Sequence, residues 1–98
     1  MKIWLDDSRP APEGWIWVKH PNDIFRYLVN EEVEEISFDH DLGLIRGDIE
    51  ITGYTALVAI ERHLAFGTIR KPKKLSIHSA NAGARRKMEL AIQSIEKM

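Results

Sequence analysis

The sequence contains no cysteine, which excludes a disulfide framework and the thiolate zinc sites that hold many small domains together, so packing has to do that work. It has no apolar run near the roughly 20 residues that a membrane helix needs, and MKIWLDD turns acidic too soon to be a secretory signal. An excess of charge is missing too. With 14 basic residues against 15 acidic ones the formal charge is −1, so no global field draws in nucleic acid and any anion site must be local. No repeat, low-complexity tract or linker interrupts the 98 residues, a length that suits one domain, 1–98, around a single modest core. These absences lead to the expectation of a soluble, cytoplasmic protein without a membrane partner.

What is present is a regular alternation of apolar runs and turn residues. KIWL (2–5) reads as a buried strand ended by Asp6 and Asp7, and the prolines of DSRPAPEG (7–14) forbid a helix after it. WIWVK (15–19) is aromatic and β-branched, hence a second strand. From Pro21 the period changes: Ile24, Phe25 and Leu28 share one helical face before Asn30. EEISFD (34–39) gives a third strand with Ile36 and Phe38 on one face and Ser37 and Asp39 on the other. LGLIRGDIEI, with two glycines, reads as a loop; Thr52 caps a helix with Leu57, Ile60 and Leu64 as its stripe, ended by Gly67. LSIHS (75–79) is the fourth strand, and Met88, Ala91, Ile92 and Ile95 mark a terminal helix after Asn81 and Gly83.

This order predicts an α/β fold with a mainly parallel sheet. Nine residues separate Leu5 from Trp15. They reach roughly 30 Å when extended, enough to run back along a short strand, although the usual crossover is longer and an antiparallel second strand stays open. In open parallel sheets the ligand site lies beyond the carboxyl ends of the strands. Three of those ends are polar here: Asp6 and Asp7; Asp39, His40 and Asp41; and His78, Ser79 and Asn81.

The strand-end LDD, the strand-end Asp39, TGY (52–54) and the strand-end SA (79–80) resemble the acidic pair, phospho-accepting Asp, loop glycine and Ser-Ala of response-regulator receiver domains. LDDSRPAPEGW, ISFDHDLG, TGY and HSANAGARRKM are more similar still to a compact relative, the cyclic-phosphate-processing receiver domain. The resemblance implies a receiver-like, flavodoxin-like open sheet of four strands in the order 2-1-3-4 with three helices. It also implies a role around RNA end repair and phosphorylated or cyclic-phosphate nucleotides. Two departures stand out. A proline loop replaces the helix after the first strand, and the chain has no room after the terminal helix for a fifth strand with its Lys-Pro, so the resemblance does not extend to the Lys that grips the phosphoryl group in aspartyl-phosphate signalling. The loss of two helices uncovers a sheet face, which the terminal helix or a second subunit of a homodimer would then cover.

The residues themselves divide between site chemistry and plain turn chemistry. Asp often does no more than end strands, but four carboxylates at two strand ends, Asp6, Asp7, Asp39 and Asp41, form a candidate site for a hard cation, Mg²⁺ or alternatively Mn²⁺. Asp39, His40 and His78 are the candidate catalytic groups; the histidines are otherwise structural, or ligands of a transition metal. Arg85 and Arg86 in the first turn of the terminal helix, with Ser79 and Asn81, would seat a phosphate, and Arg9 would bind phosphate or pair with Asp7. His20 and His63 read as structural. The resulting expectation is a receiver-like domain that binds, and as an enzyme would process as a metal-dependent phosphoesterase or cyclic phosphodiesterase, a phosphorylated small molecule, nucleotide or RNA end. The alternative is a non-catalytic module for a nucleotide or protein partner.

Overall fold

A computed structural model describes residues 1–98 as six strands and three helices. Along the chain these are β1 (Lys2–Leu5), β2 (Trp15–Val18), α1 (Pro21–Asn30), β3 (Glu35–Phe38), β4 (Asp41–Arg46), β5 (Ile49–Thr52), α2 (Gly53–Phe66), β6 (Leu75–Ile77) and α3 (Ala82–Glu96). The main sheet has the order β2-β1-β3-β6, and every neighbouring pair is parallel. The proline loop is thus long enough to return the chain for a parallel β2. The expected order 2-1-3-4 needs correction, because the fourth strand of the sheet is the sixth along the chain.

The extra strands come from residues 41–52, where a loop was expected. β4 and β5 form an antiparallel hairpin with Leu44 opposite Ile51 and Arg46 opposite Ile49. Its two-residue turn is Gly47-Asp48, and Gly47 has φ 67°, the positive angle wanted at the first position of a II′ turn. A register irregularity between Asp41 and Leu44 fits the glycine at position 43, and it blurs the alternation by which a strand is recognised.

The helices start where side chains satisfy their free N–H groups. His20 Nδ1 accepts from the N–H of Asn22 ahead of Pro21, Thr52 and Thr55 form a reciprocal capping box, and Asn81 accepts from Ala84. The parallel register puts Ile3 beside Ile16 and Ile36, Ile36 beside Leu75, and Leu5 beside Val18 and Phe38. Those side chains, with Ile16 only partly buried at the edge, share one core cluster with Ile24 and Leu28 of α1, Leu57 and Ile60 of α2, and Met88, Ile92 and Ile95 of α3. All three helices therefore lie on one face of the sheet. α3 does not cross to the other, as one expectation had it.

The uncovered face follows from the opposite parity: Lys2 and Trp4, Trp15 and Trp17, Glu35 and Ser37, and Ser76. It is aromatic and polar rather than apolar. Trp4 meets Trp15 edge-on with ring centroids 5.9 Å apart, Lys2 and Lys19 lie over Trp15 and Trp17, and Ser76 donates to Glu35 at 2.8 Å. A face built this way can meet water without a second layer. No helix is long and apolar enough to cross a membrane.

Candidate functional site

The backbone ladder of the sheet runs one residue past the strand ends and fixes the site. The N–H of Asp6 donates to Val18 O, that of Asp39 to Leu5 O and that of His78 to Phe38 O. Asp6, Asp39 and His78, far apart in sequence, thus stand side by side at the carboxyl rim. By parity they follow Trp4, Ser37 and Ser76, so they lean to the uncovered face.

Asp6 is fully buried. Its Oδ1 accepts from the N–H groups of Ser8 and Arg9, each at 2.9 Å, and its Oδ2 accepts from Arg9 Nε at 2.9 Å and faces His78 Nε2 at 3.0 Å. Burial pushes the carboxyl up, but the Ser8 and Arg9 N–H groups, His78 and the Arg9 charge outweigh it and hold Asp6 below its ordinary value. Asp39 goes the other way: burial raises it, the N–H of His40 pulls it back, and the Asp6 charge adds to the rise. Arg9 Nη2 donates to Asp39 Oδ1 at 3.1 Å. Arg9 therefore bridges Asp6 and Asp39, instead of pairing with Asp7.

Asp7 is exposed. One carboxylate oxygen from each of Asp6, Asp7 and Asp39 lies within 4.8 Å of the others. Three all-oxygen donors this close, with a guanidinium as stand-in cation, fit a hard divalent ion. Asp41 is not in this group. It accepts from Asn81 Nδ2 at 3.3 Å and pairs with His40 Nδ1 at 2.9 Å, and the His40 bond holds it below its ordinary value.

His78 is held on three sides. Its ring stacks on Trp4 at 3.6 Å with 6° between planes, Nδ1 lies 2.7 Å from Ser37 Oγ, and Nε2 faces Asp6. Burial lowers its pKa, with the Asp6 bond acting against that, so it is neutral at neutral pH. Ionised Asp6 can only accept, hence Nε2–H donates to it and Nδ1 accepts from the Ser37 hydroxyl. Neither nitrogen is left for a ligand. Because the unfolded chain takes up this proton first, His78 contributes stability above pH 6.5 that is lost as pH falls through that value. Asp6 acts with the same sign, below its ordinary 3.8, and raised Asp39 with the opposite one. In chelator the melting temperature is expected to fall as pH drops from about 7.5 to about 6, and His78→Gln to flatten that slope; equal slopes for the two chains would refute the assignment.

The other expected residues build the frame of the rim. Ser79 Oγ accepts from the Asn81 N–H at 3.0 Å, and Asn81 caps α3. Arg85 Nη1 donates to the carbonyls of Ile77 and Ser79 at 3.4 and 3.2 Å, so it ties the end of β6 to α3. Arg86 is exposed. His40 is buried, with no hydrogen-bond partner at Nε2. His20 caps α1, and His63 Nδ1 lies 2.9 Å from Thr68 Oγ1, both structural as expected.

Sequence reasoning missed Ser37, Trp4 and Trp17, whose Nε1 donates to the Asp6 carbonyl at 2.7 Å. The usable signal was parity: Trp4 precedes Asp6, and Ser37 precedes Asp39, by two. The largest cleft, about 760 Å³, lies elsewhere, between the start of α1, the hairpin and α2, with Phe25, Ile45, Ile49 and Ile51 in its wall. It holds no carboxylate, so the acidic cluster of the rim lies outside it.

A family model described as "Cyclic-phosphate processing Receiver domain" matches residues 1–94. No curated protein and no solved structure matches the chain.

Proposed function

The chain belongs to the cyclic-phosphate processing receiver domain family, and on that premise we propose that its rim binds a divalent cation, Mg²⁺ or Mn²⁺, and through it the phosphate of a phosphate ester or cyclic-phosphate nucleotide, including the end of an RNA. The observation that supports this reading is the approach of Asp6, Asp7 and Asp39 to within 4.8 Å, with Arg9 across two of them. A divalent ion held there would supply the positive charge that a phosphate needs beside three carboxylates. Asp6 is preset in its ionised form by its donors, Asp39 stands next to it, and the Arg9 guanidinium is the cation nearest an incoming anion.

Binding without turnover is the version that the geometry favours. A general acid or base has to reach the reacting group within about 3 Å or through one water. His78 has both nitrogens engaged and His40 turns its free nitrogen into the interior. On this reading the domain senses a phosphorylated ligand, with a protein partner as the receiver of the signal.

The test is a melting screen against Mg²⁺ and Mn²⁺, each with 2′,3′-cyclic and 3′-phosphate nucleotides. A ligand at 100 times its Kd adds about 2.7 kcal/mol to the native state, or roughly 10 °C or more for a domain this size. A melting temperature unmoved by every combination would sink the proposal. Product from a cyclic phosphate, lost in Asp39→Asn, would replace the binding version with an enzyme.

A further inference from the structure

Arg9 has a double attachment. Its Nε–H donates to Asp6 and its Nη2 to Asp39, so one guanidinium spans two of the three clustered carboxylates. Asp6 receives four close donors, Ser8 N and Arg9 N on Oδ1 and Arg9 Nε and His78 Nε2 on Oδ2, with the Ser8 hydroxyl farther from Oδ1 at 3.5 Å. A carboxylate has about four lone-pair positions, and the four close donors fill them. A metal ion can reach Asp6 only if one of them leaves.

Three of the donors are fixed. The two backbone N–H groups belong to the turn, and His78 is clamped between Ser37 and the Trp4 ring. The guanidinium sits at the end of a flexible side chain that is 48% exposed. It is the donor able to leave.

We propose that Arg9 is an exchangeable counter-ion: a divalent cation and the guanidinium compete for Asp6 and Asp39, and the arriving metal frees Arg9 to take the phosphate of the ligand. This rests on the metal site proposed above. Three ionised carboxylates against one guanidinium leave two net negative charges, which repel an anion. A divalent ion held there would cancel them, and the two N–H groups of Arg9 now bound to Asp6 and Asp39 would be freed, leaving the whole guanidinium fork for a phosphate. Metal binding therefore precedes phosphate binding.

The experiment is a calorimetric Mg²⁺ titration of the full chain and of Arg9→Gln, repeated with tryptophan emission as readout. Trp4 donates to the Arg9 carbonyl at 3.0 Å and Trp17 to the Asp6 carbonyl at 2.7 Å, so departure of the charged Arg9 side chain from beside this turn alters their surroundings. Arg9→Gln is expected to bind Mg²⁺ at least tenfold more tightly than the native chain and to show a much smaller emission change. If Arg9→Gln does not fold, Arg9→Lys keeps the charge without the fork that spans both carboxylates, and should bind Mg²⁺ several-fold more tightly. Inorganic phosphate should bind the native chain only when Mg²⁺ is present. Affinities within threefold of each other, equal emission changes, or phosphate binding without Mg²⁺ overturn the exchange while leaving the metal site standing. Absence of Mg²⁺ binding by native and variant chains overturns the metal site and the exchange with it.

Discussion

Gly53→Ala is expected to cost the fold about 3 kcal/mol or more, above the middle of the range for overpacking, and to lower the melting temperature by roughly 12 °C or more. Gly53 opens α2 directly against the end of β3, and its N–H donates to the His40 carbonyl at 2.9 Å. A Cβ there would lie 1.9 Å from the carbonyl oxygen of Asp39 and 2.9 Å from Met88 Cε. The methionine can turn aside, but the backbone oxygen cannot. Either α2 or the chain at Asp39 has to shift by more than 1 Å, about the difference between that distance and ordinary contact. The same shift moves the Asp39 carboxylate off the rim, so any bound metal should be lost together with stability. Thermal unfolding measures the first effect and a Mg²⁺ titration the second. A variant that melts within a few degrees of the native chain would show that the start of α2 is not held as described.

Asp39→Asn separates those two effects. The carboxylate is buried beside the ionised Asp6, and its raised pKa means that folding disfavours its charge despite the contact with Arg9. Asparagine removes the charge at nearly constant shape. The melting temperature in chelator should therefore rise, and the gain should be largest at neutral pH and vanish in acid, where Asp39 is itself neutral. Mg²⁺ affinity should fall at least tenfold, since even the loss of a group behind a metal ligand costs about 10–100-fold. A chain that became less stable and still bound metal would contradict the account of Asp39 on both counts. The sign matters because it distinguishes a group kept for stability from one the fold tolerates.

The four strands of the main sheet and the three helices were legible because each rests on a local pattern. Apolar runs such as KIWL and LSI, and stripes such as Met88, Ile92 and Ile95, need no knowledge of the rest of the chain. The hairpin at 41–52 was not legible as strands, because its glycines at 43 and 47 outweighed the alternation of Ile49 and Ile51, although Gly47-Asp48 is itself a hairpin turn. At the site, the sequence pointed to the strand-end carboxylates by type and position. The pairings within it depend on which strands are neighbours. Ser37 meets His78 only because β3 lies next to β6, and Arg9 reaches Asp39 only because β1 lies next to β3. Arg85 shows what sequence leaves out: a cation at the start of a helix looks like half of an anion site, and only the fold reveals that its Nη1 also binds two carbonyls at the end of β6.

The chain has three tryptophans, and the parity of β1 and β2 sets them all on the side of the sheet that the helices leave bare. Their light is therefore a report from that side alone, while far-UV circular dichroism is dominated by the helices behind the sheet. Denaturation followed by both signals tests whether the two layers come apart together: coincident curves mean one cooperative unit, and displaced curves mean that one layer lets go before the other.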